Sequence, residues 1–197
     1  MNQDLAQNME YPGWLDRTEY PFDSHFFETP SGNMHYVDSG EGSPIVMMHG
    51  NPGWSFEYRK AILELSKTNR CIAPDYLGFG LSDKPKGFDY LPSSHATYIE
   101  TFLDRMDLSG TTMVVNDWGG PIGLSYAIKH PEKIKKLVIL NTWLWPVDDE
   151  PHFKRFSNLM GGGMGRFMVR YFNLFGRMVV KQAVGEPKNL PKQIHRH

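Results

Sequence analysis

The fold is decided by the stretch Val114-Val115-Asn116-Asp117-Trp118-Gly119-Gly120-Pro121. An apolar run ends at an acidic side chain, two glycines follow, and a proline opens a helical pattern. Small residues leave room for a tight strand-to-helix turn, and proline suits a first helical turn, where its missing N–H costs nothing. A carboxylate at such a turn is a candidate nucleophile, because the helix N-terminus behind it favours negative charge. Taken alone, Asp117 fits an N-cap equally well.

Short β-type runs alternate with helical patterns on either side of this turn. We predict an opening hairpin from residues 25–29 and 34–37, further strands at 45–48, 70–73, 111–115 and 136–140, and helices at 97–108 and 121–129. This alternation is typical of an α/β fold, with a mostly parallel sheet of about six strands flanked by helices.

The strand rhythm ends after Asn141. We therefore divide the chain into a core, residues 1–144, and a second part, residues 145–197, of irregular helices outside the sheet. The segment Phe167–Val180 is strongly apolar, but Arg170 and Arg177 interrupt it at amphipathic spacing. It predicts a helix that covers a pocket rather than one that spans a membrane.

Composition excludes several classes of function. The chain is 40% hydrophobic, with a formal net charge of -1 and no basic run that would follow a phosphate backbone, so we expect no nucleic-acid partner. The polar N-terminus lacks the pattern of a signal peptide, and we expect a cytoplasmic protein without a membrane anchor. The single cysteine, Cys71, lies in an apolar run and predicts an inert thiol. The histidines show no metal-ligand spacing, so we expect no metal and no cofactor.

A second motif decides between the two interpretations of Asp117. The loop His49-Gly50-Asn51-Pro52 directly follows the predicted strand 45–48. Loops at the carboxyl ends of neighbouring strands converge on the ligand-binding edge of such a sheet. A loop there also supplies a backbone N–H to an oxyanion hole, which favours the nucleophile.

Three motifs in order carry a family resemblance: residues 49–59 (HGNPGWSFEYR), 75–85 (DYLGFGLSDKP) and 116–123 (NDWGGPIG). Together they resemble the haloalkane dehalogenases of the α/β-hydrolase superfamily, and the likeness runs from about His25 to His197. Val115 stands where serine hydrolases have glycine, a departure that the dehalogenase pattern tolerates. Residue 116 is more often His or Gln in that pattern than Asn. The resemblance identifies residues 145–197 as the beginning of a helical cap domain.

The resemblance implies a role for three residues. Asp117 would attack the halogen-bearing carbon of a small haloalkane and form an alkyl ester, which water would then hydrolyse to an alcohol. Asn51 and Trp118 would hold the departing halide through the side-chain amide and the indole N–H. Their backbone N–H groups would form the oxyanion hole for ester hydrolysis.

The family's general-base His and its supporting acid have no match in this chain. Some members carry the acid as Glu where Asn141 stands, and others supply an Asp one strand later. His195 and His197 match cap positions instead. We therefore expect a chain truncated at its C-terminal side, with incomplete catalytic machinery and a tendency to oligomerise or aggregate through an exposed strand edge and unpartnered cap helices.

Other interpretations stay open. An epoxide hydrolase shares the Asp-Trp-Gly-Gly turn but needs cap tyrosines, and Tyr171 is the only tyrosine in this part of the chain. A non-catalytic truncated remnant is the alternative from another class, and a luciferase-like oxygenase with the same turn is a more remote one. Ser125 imitates a serine nucleophile, but it falls inside the predicted helix, which favours a packing role.

Overall fold

The computed structural model describes residues 11–145 and 150–173 of the chain, without the side chains of His152 and Phe153. Within these ranges, six strands form one sheet. The strands are β1 His25–Thr29, β2 Gly32–Ser39, β3 Ser43–Met48, β4 Asn69–Pro74, β5 Thr111–Asp117 and β6 Ile134–Thr142. The helices are α1 Arg59–Leu65, α2 Pro92–Met106, α3 Gly119–Lys129, α4 Pro151–Gly161 and α5 Gly163–Phe172. Short 3-10 helices lie at Ser55–Tyr58 and Pro131–Lys133.

The strand order is β1-β2-β4-β3-β5-β6. The opening hairpin pairs β1 with β2, and β2 runs antiparallel to β4 as well. The pairs β3/β4, β3/β5 and β5/β6 are parallel. The predicted α/β fold with a mostly parallel, six-stranded sheet is therefore confirmed. Each predicted strand lies within an observed one, and β2 extends further in both directions than the hydrophobic pattern indicated.

Side chains of β3 alternate between two buried clusters, one on each face of the sheet. Val46 and Met48 pack in the cluster that contains Phe102 of α2 and Ile122 of α3. Ile45 and Met47 pack in the other cluster, with Ile62 of α1 and the N-terminal residues Leu15, Tyr20 and Phe22. The period of two along the strand thus places helices on both faces. Burial of each large apolar side chain stabilises the fold by roughly 1.5–3 kcal/mol.

A buried pair of side chains, His35 and Asp75, joins separate segments of the chain. Nδ1–H of His35 donates to Oδ2 of Asp75 at 2.9 Å, and both side chains are fully buried. Oδ1 of Asp75 accepts from the Ser55 N–H at 2.8 Å, and Oδ2 also accepts from the Leu81 N–H at 3.0 Å. The His35 ring reaches Ser24 Oγ at 3.0 Å through Nε2. One carboxylate therefore ties β2 to the loops that follow β3 and β4.

The strand-to-helix turn between β5 and α3 is packed against the end of β3. A Cβ added to Gly119 would lie 2.2 Å from the carbonyl oxygen of Met48, which is backbone and cannot rotate away. Met48 is paired with Val115 in the sheet. Only glycine allows the first turn of α3 to approach β3 this closely.

Strand β6 pairs with β5, and its apolar side chains are exposed. Leu137, Val138, Ile139 and Leu140 retain between 40% and 58% of their accessible surface. An exposed apolar strand favours association. Oligomerisation or aggregation through this surface stays a prediction.

The chain divides into two compact units, Met1–Leu144 and Trp145–His197. Helices α4 and α5 belong to the second unit, where Gly165 is buried and Phe167 packs against Tyr171 with ring centroids 4.9 Å apart. The helix predicted at 167–180 begins earlier, at Gly163. It ends at Phe172, because Asn173 adopts the left-handed conformation that terminates helices. Residues 174–180 lie outside the described residues, and none of the described helices has the length and apolar character to cross a membrane.

We predict that the Asp75→Asn variant lowers the free energy of unfolding by about 3–5 kcal/mol, because it leaves His35 buried without its charged partner. Burial by itself would raise the pKa of Asp75, but the His35 charge and hydrogen bonds outweigh burial and hold that pKa below its ordinary value. A carboxyl with a depressed pKa stabilises the fold above its unfolded value of 3.8, and this contribution disappears as the pH falls through the folded value. The loss in free energy of unfolding of Asp75→Asn should therefore be largest at neutral pH and smaller in acid. Urea unfolding at several pH values measures this difference.

The matched control is Asp38→Asn, which breaks the part-exposed pair between Asp38 and Arg70. A pair at the surface contributes about 0–1 kcal/mol, so this control should change stability far less. Equal losses in the two variants would contradict a structural role for the buried pair.

We also predict that Gly119→Ala destabilises the chain by about 1–3 kcal/mol, since the new methyl group displaces the backbone of β3 at Met48. Gly87→Ala is the control, because nothing lies within 4 Å of a Cβ added there. Thermal unfolding of both variants measures the difference. A Gly119→Ala protein as stable as the Gly87→Ala protein would show that β3 and α3 do not approach this closely.

Candidate active site

Asp117 is the last residue of β5 and has a positive φ of 49°. This left-handed conformation is unfavourable for a residue with a side chain and is stored where the surroundings hold it. The hydroxyl of Thr142, the β6 residue paired with Asp117, donates to the Asp117 carbonyl oxygen at 2.5 Å. The strained turn is thereby attached to the neighbouring strand.

The Asp117 side chain does not cap α3. The N-cap position is Trp118, and no side-chain hydrogen bond caps this helix. Oδ1 of Asp117 instead accepts a hydrogen bond from the backbone N–H of Asn51 at 2.8 Å. The N-cap interpretation of Asp117 is therefore wrong, and the carboxylate points towards the HGNP loop, residues 49–52.

The HGNP loop reaches Asp117 because β3 and β5 are adjacent parallel strands whose carboxyl ends lie at one edge of the sheet. A Cβ on Gly50 would lie 2.5 Å from Cβ of Asp117, so glycine is needed at this crossing. The loop therefore presents the Asn51 backbone directly to the carboxylate. The HGNP loop and the strand-to-helix turn at Asp117 therefore meet, as the sequence predicted.

Asn51 and Trp118 offer free side-chain donors. Both are partly buried, and Trp118 packs against the cluster formed with α2 and α3. Neither the amide of Asn51 nor the indole N–H of Trp118 donates to any residue in the described ranges. Both side-chain donors are therefore unpaired within the described part of the chain.

His49 is part of the scaffold. Its ring is fully buried, with Nδ1 2.9 Å from the Gly50 carbonyl oxygen and Nε2 accepting from the Tyr76 N–H at 3.1 Å. This pattern requires the neutral ring with its proton on Nδ1. Burial lowers the pKa of His49, which agrees with that state. Both ring nitrogens are committed to backbone, and neither is free to take a proton from water beside Asp117.

Sequence reasoning missed Glu57 and Thr142. Glu57 follows the HGNP loop in the 3-10 helix, and its Oε1 accepts a long hydrogen bond of 3.5 Å from Asn116 Nδ2. An acidic residue in a turn and a threonine in a strand are both ordinary, so neither carried a local signal. Only the adjacency of β3, β5 and β6 brings them to Asp117.

The remaining candidates lie elsewhere or have other contacts. Ser125 Oγ donates to the Ile122 carbonyl oxygen at 2.7 Å within α3, as its predicted packing role requires. Burial raises the pKa of Cys71 to about 11, which makes its thiol inert. Asn141 is exposed near the end of β6, and Tyr171 is exposed in α5. His195 and His197 lie outside the described residues. Among the residues described, no group of three His, Cys, Asp or Glu side chains could hold a metal ion.

Comparison with known proteins gives two groups of curated relatives. Haloalkane dehalogenase 2 of Mycobacterium tuberculosis is 43% identical over 156 residues, which is 79% of this chain and 54% of the relative. Cis-3-alkyl-4-alkyloxetan-2-one decarboxylase of Shewanella oneidensis is 43% identical over 162 residues, covering 80% of this chain and 51% of the relative. The chain thus spans about half the length of the curated relatives it matches.

Solved structures of haloalkane dehalogenases are also similar to this chain. The haloalkane dehalogenase DatA of Agrobacterium tumefaciens superposes with a TM-score of 0.77 at 28% identity, over 88% of this chain and 60% of that one. The predicted resemblance to haloalkane dehalogenases is therefore confirmed. Residues 43–196 match the α/β-hydrolase fold family, which is most of the chain. The chain belongs to the α/β-hydrolase fold family.

Proposed function

We propose that this chain cleaves carbon–halogen bonds, with Asp117 as the nucleophile. The observation that carries the proposal is the strained Asp117 whose Oδ1 is held by the Asn51 N–H at 2.8 Å. A carboxylate fixed at one oxygen keeps the other oxygen for attack. In the described part of the chain, Oδ2 accepts no hydrogen bond, so its lone pairs are unused.

The first step is a displacement at carbon. Oδ2 of Asp117 forms a bond to the halogen-bearing carbon, and the carbon–halogen bond breaks with its electron pair leaving on the halide. The free donors of Asn51 and Trp118 stabilise the halide as its charge develops. Neutral donors suit this task, because a cation at the same place would pair with the Asp117 carboxylate instead.

The second step is hydrolysis of the ester. Once Oδ2 carries the alkyl group, Oδ1 becomes the ester carbonyl oxygen, and the Asn51 N–H already donates to it. The backbone N–H of Trp118 completes the proposed oxyanion hole, and each such donor contributes about 10²–10³ in rate. Attack by water also needs a base. His49 is unavailable for this role, and no other described histidine is hydrogen-bonded to Asp117.

The substrates that fit this chemistry are small halogenated alkanes and water, and the products are an alcohol and a halide. We assign the second unit, residues 145–197, to the beginning of a helical cap domain. Its amphipathic α4 and α5, with exposed Leu159, Met164 and Phe167, support that assignment. A cytoplasmic location and the absence of a nucleic-acid or membrane partner remain part of the proposal.

A second candidate follows from the relative named as an oxetanone decarboxylase, whose identity to this chain equals that of the dehalogenase. The same carboxylate can open a four-membered lactone by attack at ring carbon 4, which leaves a carboxylate. Loss of carbon dioxide then forms an alkene and expels Asp117 without a water step. The two activities are separated by their products, which are an alcohol and halide in one case and an alkene and carbon dioxide in the other.

The first prediction for this function is that exposure to a short bromoalkane adds one alkyl group to the chain and releases one bromide per alkyl group. The mass increase should map to the peptide that contains Asp117, because the Asn51 N–H holds that carboxylate for attack. Intact-mass spectrometry, peptide mapping and a halide assay measure the three quantities. The isosteric variant Asp117→Asn removes the nucleophile and should show neither the modification nor the bromide.

Three results would contradict the proposal. They are an alkyl group on another carboxylate, bromide release by Asp117→Asn at the wild-type rate, and a folded wild-type chain that remains unmodified. Alkene and carbon dioxide from an alkyl-substituted oxetanone, with no bromide from any bromoalkane, would favour the second candidate.

The second prediction concerns the halide donor. Trp118→Phe keeps an aromatic ring but removes the indole N–H, and it should slow alkylation of Asp117 by roughly 10- to 100-fold, the usual effect of a lost hydrogen bond to a charged group. Trp54→Phe is the matched control, since Trp54 packs against Tyr20 and Phe56 and makes no hydrogen bond to Asp117. Equal rates for the two variants would remove Trp118 from the halide site.

A further inference from the structure

A second carboxyl group besides that of Asp117, the one of Glu57, packs against the backbone beside the HGNP loop. Glu57 as a residue is exposed, but its carboxyl end packs back onto the loop. A Cβ added to Gly53 would lie 2.2 Å from Oε2 of Glu57 and 3.2 Å from the Gly50 carbonyl oxygen. The carboxyl therefore lies on the same backbone that presents Asn51 to Asp117.

Glu57 also contacts the nucleophile strand. Its Oε1 accepts from Nδ2 of Asn116 at 3.5 Å, and Asn116 immediately precedes Asp117 in β5. Within the described residues Glu57 joins no ion pair, and the cation nearest in sequence, Arg59, contacts Glu19 and the Phe56 ring instead. The negative charge of an ionised Glu57 is thus compensated by hydrogen-bond donors alone.

The titratable groups around Glu57 do not supply that missing positive charge. Tyr58 lies beside it in the 3-10 helix, Tyr76 follows β4, and Asp117 ends β5. Burial raises the pKa of Tyr58 and of Tyr76, so both phenols stay neutral. Burial likewise lowers the pKa of His49, and its ring stays neutral. Glu57 therefore faces neutral rings and one further carboxylate.

Resting on the proposed function, we propose that the charge of Glu57 controls how strongly the site holds an anion at Asn51 and Trp118. With a neutral Glu57 carboxyl, the amide and the indole donate hydrogen bonds to a halide beside Asp117. With an ionised Glu57, a second negative charge besides that of Asp117 repels the halide, and binding weakens.

The pKa of Glu57 places this change near neutrality. Desolvation raises that pKa to about 7, and the Asp117 charge acts in the same direction, while hydrogen bonds with Asn116, Tyr58 and Gly50 oppose the shift. Because a neutral carboxyl favours the halide, binding of the halide must in turn raise the pKa of Glu57. Halide binding near pH 7 should therefore take up protons from solution.

The test measures chloride binding to the full chain by chloride NMR line broadening, from about two pH units below to two above the pKa of Glu57. For the wild type, we expect affinity to fall by roughly tenfold as pH rises, the effect of one like charge in a partly solvated site. Glu57→Gln keeps an acceptor for Asn116 without the charge, and it should bind chloride with a flat profile close to the wild type's acid limit. Glu41→Gln, changed in the loop at the opposite end of β3, should keep the wild-type profile.

A second measurement needs no variant. Calorimetric chloride titrations of the wild type in buffers of different ionisation enthalpy report the protons taken up on binding, and uptake is expected near pH 7. A flat wild-type profile, or identical pH profiles in wild type and Glu57→Gln, would overturn the role of Glu57. In either case Asp117 would still be alkylated by a bromoalkane if the proposed function holds. Absence of chloride binding at every pH, together with an unmodified Asp117, would instead overturn the halide site on which this inference rests.

Discussion

The buried carboxylate of Asp75 is the interaction on which the arrangement of the loops depends. It lies at the end of β4, fully buried, and accepts hydrogen bonds from His35, Ser55 and Leu81. Removing a charge from water is costly, and burial is tolerated only where a partner and several donors compensate it. The compensation here comes from three separate segments, so the charge is stabilised only when all three are in place. Ser55 starts the 3-10 helix behind the HGNP loop, and its position fixes the end of that loop.

The loop fixed in this way meets a backbone that is itself strained. Asp117 holds a positive φ because β5 must turn at once into α3, and Gly119 allows the first helical turn to approach β3. Thr142 donates to the Asp117 carbonyl oxygen from the other side. The cost of the conformation, about 1–3 kcal/mol for such a residue, is carried by contacts from β3 and β6. The carboxylate lies at the sheet edge with Oδ1 bound to the Asn51 N–H, while Oδ2 accepts no hydrogen bond from the described residues.

Much of this could be predicted from the sequence because the decisive signals are local. The runs 45–48 and 111–115 end directly at residues 49–52 and at Asp117, and parallel strands bring their carboxyl ends to one edge. The position of Asn51 at the same sheet edge as Asp117 therefore followed from the location of both residues at the carboxyl ends of predicted strands. The ambiguity of Asp117 between cap and nucleophile was different, since both roles use the same residue type at the same turn. The HGNP motif favoured the nucleophile, and the direction of the side chain, towards Asn51 and away from α3, rules out the cap.

The contacts that could not be predicted join residues far apart in sequence. His35 and Asp75 are separated by 40 residues, and Asn116 and Glu57 by 59. Neither pair has a pattern that periodicity or turn chemistry reveals, because each depends on which strands become neighbours. Of the helix predicted at 167–180, residues 167–172 are helical and residues 174–180 lie outside the described residues. Apolar periodicity continues past Phe172, but the left-handed Asn173 ends α5, and hydrophobic pattern carries no information on that backbone choice.

Contacts between residues at neighbouring strand ends and contacts between residues far apart in sequence together determine the electrostatics of the site. The donor observed at Asp117 is a neutral backbone N–H, the proposed halide donors are a neutral amide and a neutral indole, and no lysine or arginine among the described residues pairs with Asp117 or Glu57. A site of this kind holds an anion only weakly, because dipoles replace the counter-charge. Weak binding suits a step in which the anion must be released after it forms, since a cation that stabilised the halide strongly would also retain it. Asp75 differs, because its carboxylate is fully buried and is held by the His35 ring at 2.9 Å. The fold thus keeps a buried, hydrogen-bonded carboxylate for the scaffold and leaves the proposed reaction centre to neutral donors, where by our proposal a single additional carboxylate such as Glu57 changes anion binding.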